Sequence, residues 1–136
     1  MNNFTNNSTT LSVSFQRAFD YISRRDTLPE WTNAFPVVKD RKATLRTPKG
    51  DVEVELDVDA SRESGTIDWR WRLPDGSLGT AYSRLSALND DATAYVFILP
   101  ISPEQQDMRE AMRTTIDDEL KRLKSILAGS GVSSEK

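Results

Sequence analysis

Between residues 51 and 59 the chain alternates without a break: Val52, Val54, Leu56 and Val58 are apolar, and Asp51, Glu53, Glu55, Asp57 and Asp59 are acidic. A strand sends successive side chains to opposite faces, so this segment has one face for a core and one for water. Such a strand belongs in an antiparallel sheet covered on one side. The pattern repeats at once. Ile67, Trp69, Trp71 and Leu73 alternate with Asp68, Arg70 and Arg72, and Pro74-Asp75-Gly76 supplies a type I turn with glycine in the left-handed position. A three-residue turn aligns Leu73 with Ser77, Trp71 with Gly79 and Trp69 with Ala81, so large side chains face small ones across the hairpin. In this register Gly79, Ala81, Ser83 and Leu85 point inward, and Tyr82 and Arg84 point outward.

The same period predicts short strands at Val37-Val38 and Ala43–Leu45, a sixth strand over residues 77–88 and a seventh over 93–101. In the seventh, Tyr95, Phe97 and Leu99 share the face expected to turn inward, while Val96 and Ile98 share the other. A first strand is expected at Leu11, Val13 and Phe15, after a disordered polar leader at residues 1–9. Ala18, Phe19 and Ile22 then mark a short helix, and residues 26–31 a second, with Pro29 in its first turn. At the far end Met108, Met112, Ile116, Leu120, Leu123 and Leu127 form a stripe at helical spacing. Ser102 with Gln105 is a capping-box pair, Pro103 fits the first helical position and Gly129 fits the stop. One helix is therefore expected over residues 102–129, its roughly 26 helical residues between the two caps giving about 39 Å at 1.5 Å per residue. The expected division is a single domain at 10–129 and a flexible tail at 130–136.

Composition removes whole classes of chemistry. The 136 residues contain neither cysteine nor histidine, which excludes disulfides, thiolate nucleophiles, zinc-thiolate sites and the Ser-His-Asp arrangement. A net charge of −3, with basic and acidic residues interleaved, gives nucleic acid nothing to grip. The acidic row on residues 51–59 lacks a glycine-bearing calcium loop and reads as a solvated face, so no metal and no cofactor is expected. No catalytic constellation stands out. Neither a signal peptide nor a membrane span is legible, and a cytoplasmic location is expected.

The order of strand, two short helices, six antiparallel strands and one long helix resembles the helix-grip fold of the START, birch-pollen-allergen and polyketide-cyclase-like superfamily (SRPBCC). Specific echoes are Ala18-Phe19-Asp20-Tyr21-Ile22 followed by Leu28-Pro29-Glu30-Trp31, then Gly65-Thr66-Ile67-Asp68-Trp69, the strand from Ala94 to Leu99, and Glu119-Leu120-Lys121-Arg122-Leu123-Lys124. The resemblance implies an α+β architecture in which a curved seven-stranded antiparallel sheet wraps the C-terminal helix and encloses an apolar cavity. It also implies binding of a lipid, sterol, polyketide or other hydrophobic small molecule, with some members acting as cyclases or dehydratases and others as protein-partner modules.

On that basis the candidate ligand wall is Trp31, Ile67, Trp69, Trp71, Tyr95, Phe97, Met108 and Met112. Each has a plainer alternative. The indoles of Trp69 and Trp71 could simply be core, the methionines could fill gaps, and Trp31 could either cover a cavity mouth or staple the short helices to the sheet. Three functions remain open: hydrophobic-ligand binding without catalysis, a protein-interaction module or homodimer using Val96 and Ile98, and a cyclase or dehydratase needing an ionisable group in the pocket.

Overall fold

The computed structural model describes residues 3–133. Seven strands form one antiparallel sheet in the order β1-β7-β6-β5-β4-β3-β2. They are β1 (Phe4–Leu11), β2 (Val37–Lys39), β3 (Lys42–Thr47), β4 (Gly50–Ser61), β5 (Thr66–Arg72), β6 (Leu78–Asn89) and β7 (Ala92–Pro100). Helices α1 (Phe15–Ile22) and α2 (Leu28–Trp31) follow β1, and the long helix α3 (Arg109–Ser133) follows β7. From β2 to β7 every neighbour in the sheet is also the neighbour in sequence; β1 alone crosses over, to the edge beside β7. α3 packs over β1 and against α2.

Trp69 pairs with Ala81 and Trp71 with Gly79, as the turn chemistry dictates, and the Leu73 N–H donates to the Ser77 carbonyl at 2.9 Å to close the hairpin. The small residues are needed. A Cβ on Gly79 would lie 2.1 Å from Trp71 Nε1, so the indole rests directly on the glycine backbone. Gly65 is held as tightly: its φ is +75°, and a Cβ there would meet the Leu85 carbonyl oxygen at 2.3 Å. The inward residues Val54, Leu56, Ile67, Trp69, Ala81, Leu85 and Tyr95 are buried together with Ile116, Leu120, Leu123 and Leu127 of α3. Tyr82 and Arg84 are exposed on the opposite face.

Three sequence expectations need correction. The polar leader is strand β1, paired with β7 from Phe4 opposite Pro100 to Leu11 opposite Thr93. It carries no apolar alternation to read, because its inward positions Thr5 and Asn7 are polar; both are buried nonetheless. The strand therefore ends at Leu11 instead of starting there, and Phe15 opens a helix because the Ser14 hydroxyl accepts from the Arg17 N–H at 3.2 Å as an N-cap. The expected helix at 102–129 is divided, with a 3₁₀ segment at Pro103–Met108 before α3. The capping partners are in place, the Ser102 N–H donating to Gln105 Oε1 at 3.0 Å, but proline and the tighter turn delay regular α-helix to Arg109. Gly129 does not stop α3, which continues to Ser133; the remainder of the expected flexible tail lies outside the described residues.

Gly79→Ala should drive the Trp71 ring off its seat. Trp71 also packs edge-on against Phe35 at 5.5 Å, so the ring has little room to yield. The expected cost is about 1–3 kcal/mol in urea unfolding, accompanied by a shifted tryptophan emission. Unchanged stability and emission would show that the indole does not lie over the glycine.

Candidate functional site

On the inner face of the sheet, aromatic rings from separate elements pack together and form one wall of the core. Trp31, at the end of α2, meets Trp69 of β5 edge-on with centroids 6.3 Å apart, and Trp69 meets Phe97 of β7 at 6.0 Å. Strand pairing explains the second contact. Phe97 lies opposite Ser83 on β6, next to Ala81, and the small Ala81 and Ser83 side chains let the rings on either side approach across them. Trp31 and Trp69 are only 1 % and 2 % exposed, whereas Trp71, Phe97 and Leu99 stay half-buried against the same cluster.

Polar groups are built into this wall. Ser83 is buried and donates to the Ile67 carbonyl at 2.6 Å. Its oxygen lies beside the Tyr95 hydroxyl without the two forming a well-aligned hydrogen bond, and burial raises the Tyr95 pKa well above that of an ordinary phenol. Glu119, on α3, is also buried. Burial pushes its carboxyl pKa up, against the opposing pull of the Asn33 and Ala34 N–H groups and of Arg122. The Asn33 N–H donates to Glu119 Oε2 at 2.6 Å, and the Arg122 guanidinium donates to the Trp31 carbonyl at 3.1 Å and to Asn33 Oδ1 at 3.3 Å. α3 thus clasps the end of α2 through one acid and one base a turn apart.

Three polar hydrogens of the wall have no hydrogen-bond partner among the described residues: Trp31 Nε1–H, Trp69 Nε1–H and the Tyr95 hydroxyl. An indole N–H can only donate. Left unpaired in the interior, each such group costs about 1–3 kcal/mol. The wall is therefore apolar in area and donor-rich in its polar content.

Of the residues singled out from sequence, Trp31, Ile67, Trp69, Trp71, Tyr95 and Phe97 come together on this wall or directly beneath it. The methionines do not join them. Met108 is 37 % exposed at the end of the 3₁₀ segment, and Met112 is half-buried; neither belongs to the core cluster or to the side chains packed against it. The α-helical spacing that placed both on one stripe does not apply across the 3₁₀ segment. Sequence reading missed Ser83, Phe35 and Glu119. Glu119 carried a signal, because it falls three residues after Ile116 and four before Leu123, on the apolar stripe itself.

Two surface grooves lie elsewhere. One of about 240 Å³ is lined by Arg17, Asp20, Tyr21, Arg24 and Leu127, and one of about 380 Å³ by Lys42, Glu53, Val54, Glu55, Arg72, Leu73 and Pro74. Neither is lined by the tryptophans, Tyr95 or Phe97. The acidic row of β4 is matched by bases on the flanking segments, with Arg46–Asp51 at 3.7 Å, Lys42–Glu53 at 4.0 Å and Arg70–Asp59 at 3.4 Å. These exposed pairs add little stability but balance the charge. Among the described residues no group of acids could hold a metal ion, and no helix is long and apolar enough to cross a membrane.

The architecture is a START-like helix-grip fold. Solved structures of that kind superpose along nearly the whole chain. A START superfamily protein from Mycobacterium smegmatis matches with a TM-score of 0.70 at 11 % identity, covering 94 % of this chain and 99 % of its own. The Zhui aromatase/cyclase from Streptomyces sp. R1128 matches with a TM-score of 0.63 at 8 % identity, covering 98 % and 95 %. The Aha1 dimer from Colwellia psychrerythraea matches with a TM-score of 0.64 at 18 % identity, covering 91 % and 95 %. No family model matches the sequence, and no curated protein matches it. At these identities the likeness establishes the fold and leaves function to the site.

Because the Glu119 pKa is raised on folding, the folded protein retains a proton that the unfolded chain releases at the ordinary value of 4.5. Stability should accordingly fall as pH rises from 4.5 to the folded-state pKa. In Glu119→Gln, which keeps an acceptor for Asn33, that fall should disappear from melting temperatures taken across this interval. Parallel profiles for the two proteins would refute the assignment.

Proposed function

We propose that the chain binds a hydrophobic small molecule of the lipid, sterol or polyketide kind between the concave sheet face and α3, and that this molecule carries hydrogen-bond acceptors. The observation that carries the reading is the set of unpartnered donors at Trp31, Trp69 and Tyr95 within an aromatic wall. An apolar body stacks on the rings, and a carbonyl or ether oxygen supplies what the N–H and O–H groups lack. The buried Glu119 disfavours an anionic head, so neutral molecules are the better fit. In this reading such a molecule enters beside half-buried Trp71, Phe97 and Leu99. A cytoplasmic site of action is part of the same reading.

Two alternatives on this fold are supported by separate observations. The outer face carries exposed Phe4, Tyr82 and Val96 beside half-buried Ile98, a patch suited to a protein partner or a second copy, and one structural neighbour is described as a dimer. Cyclase chemistry, the activity type named for another neighbour, or dehydratase chemistry would draw on Glu119 and Tyr95 as the ionisable groups of the wall.

Native mass spectrometry of protein purified from its host, followed by organic extraction, tests occupancy directly. In a thermal-shift screen of sterols, lipids and aromatic ketones, a true ligand at 100 times its Kd adds about 2.7 kcal/mol of stability. Trp69→Phe keeps the ring contact and deletes one donor, so it should weaken an acceptor-bearing ligand about tenfold while leaving a pure hydrocarbon unaffected. No retained molecule and no shift across the screen would reject ligand binding in favour of the interaction module.

A further inference from the structure

We propose that two copies of this chain join through the free edge of β1, antiparallel about a two-fold axis at Asn7, forming one continuous sheet with their α3 helices side by side. The two edges of the sheet are built differently. β2 is three residues long and ends in Lys39, the short and charged form that discourages pairing. β1 is eight residues long and has neither charge nor proline. It is an open template.

Its backbone polarity defines which groups are on offer. The Ile101 N–H donates to the Asn3 carbonyl at 2.7 Å, so odd-numbered residues turn their N–H and C=O groups toward β7. Phe4, Asn6, Ser8 and Thr10 turn theirs to the open edge. With the axis at Asn7, Asn6 of one copy lies opposite Ser8 of the other and Phe4 opposite Thr10, so all four residues exchange both backbone bonds. Opposed residues share parity, and the concave faces of the two sheets stay on the same side.

The choice of a second copy, over an unrelated strand, rests on charge. The Asn7 amide donates to the Arg113 carbonyl at 3.0 Å and to Asp117 Oδ1 at 2.7 Å, so this flank of α3 lies over β1. The other flank is turned to α2 by Glu119 and Arg122. The flank toward the open edge reads Glu110, Arg113, Asp117, Lys121, exposed side chains of alternating sign at helical spacing. An antiparallel copy about Asn7 sets Arg113 against Asp117 and Glu110 against Lys121. The stripe complements itself, and uncharged β1 adds no repulsion.

Sedimentation velocity on the full chain should give twice the chain mass at about 100 μM, and a monomer at that concentration would overturn the proposal. Ser8→Pro removes an outward N–H and leaves the β7 ladder intact, so it should yield a monomer that melts at the temperature of wild type diluted to its monomeric form. A dimer as strong as wild type in this variant would place the contact elsewhere and refute the β1 edge. Glu110→Lys and Lys121→Glu should each weaken the dimer about tenfold, and the two together should restore it. Additive loss in the double variant would overturn the helix pairing on which the choice of partner rests.

Discussion

The tryptophans of β5 can turn inward only because the strand opposite offers them Gly79 and Ala81. Two indoles side by side on a concave face take up volume that ordinary cross-strand partners would contest, and the hairpin resolves this by removing the partners' side chains. Ring positions then follow from the backbone. Trp71 lies on the Gly79 main chain, Trp69 reaches over Ala81 to Phe97, and Trp31 comes down from α2 to close on Trp69. The Glu119 and Arg122 clasp keeps α2 where Trp31 can do so. One register decision in a three-residue turn thus propagates to the short helices and to the placement of α3.

Much of this was legible in the sequence, for a physical reason. Where one face is buried and the other wet, period and turn type together leave one register, and β4 to β7 satisfy that condition. β1 does not. Thr5 and Asn7 face inward and are buried although polar, Asn7 being tied to α3 through its amide N–H, and two polar inward residues leave no hydrophobic alternation to read. Met108 illustrates a different limit: spacing predicts a shared face only when the helix type is uniform, and the 3₁₀ segment breaks that condition. Glu119 was visible as a charge on an apolar stripe, but the loop that satisfies it lies 86 residues away, beyond any local pattern.

The interior wall combines two properties that plain cores avoid. It holds an ionisable acid and a phenol at burial levels that disfavour their charged forms, and it leaves donors without protein acceptors. A core evolved for stability alone gains from replacing such groups with aliphatic ones. Their presence beside half-buried aromatic surface gives the proposed ligand binding its chemical content.

The position of β1 in the sheet also sets an order of events during folding. From β2 to β7 every pairing joins sequence neighbours, and each hairpin can form as soon as its own two strands exist. β1 has no such partner: Thr5 lies opposite Leu99, and the side-chain bonds of Asn7 to α3 reach residues 113 and 117. Closing that loop carries a chain-entropy cost that local contacts do not offset, so β1 is expected among the last strands to be placed. Until then the β7 edge is bare.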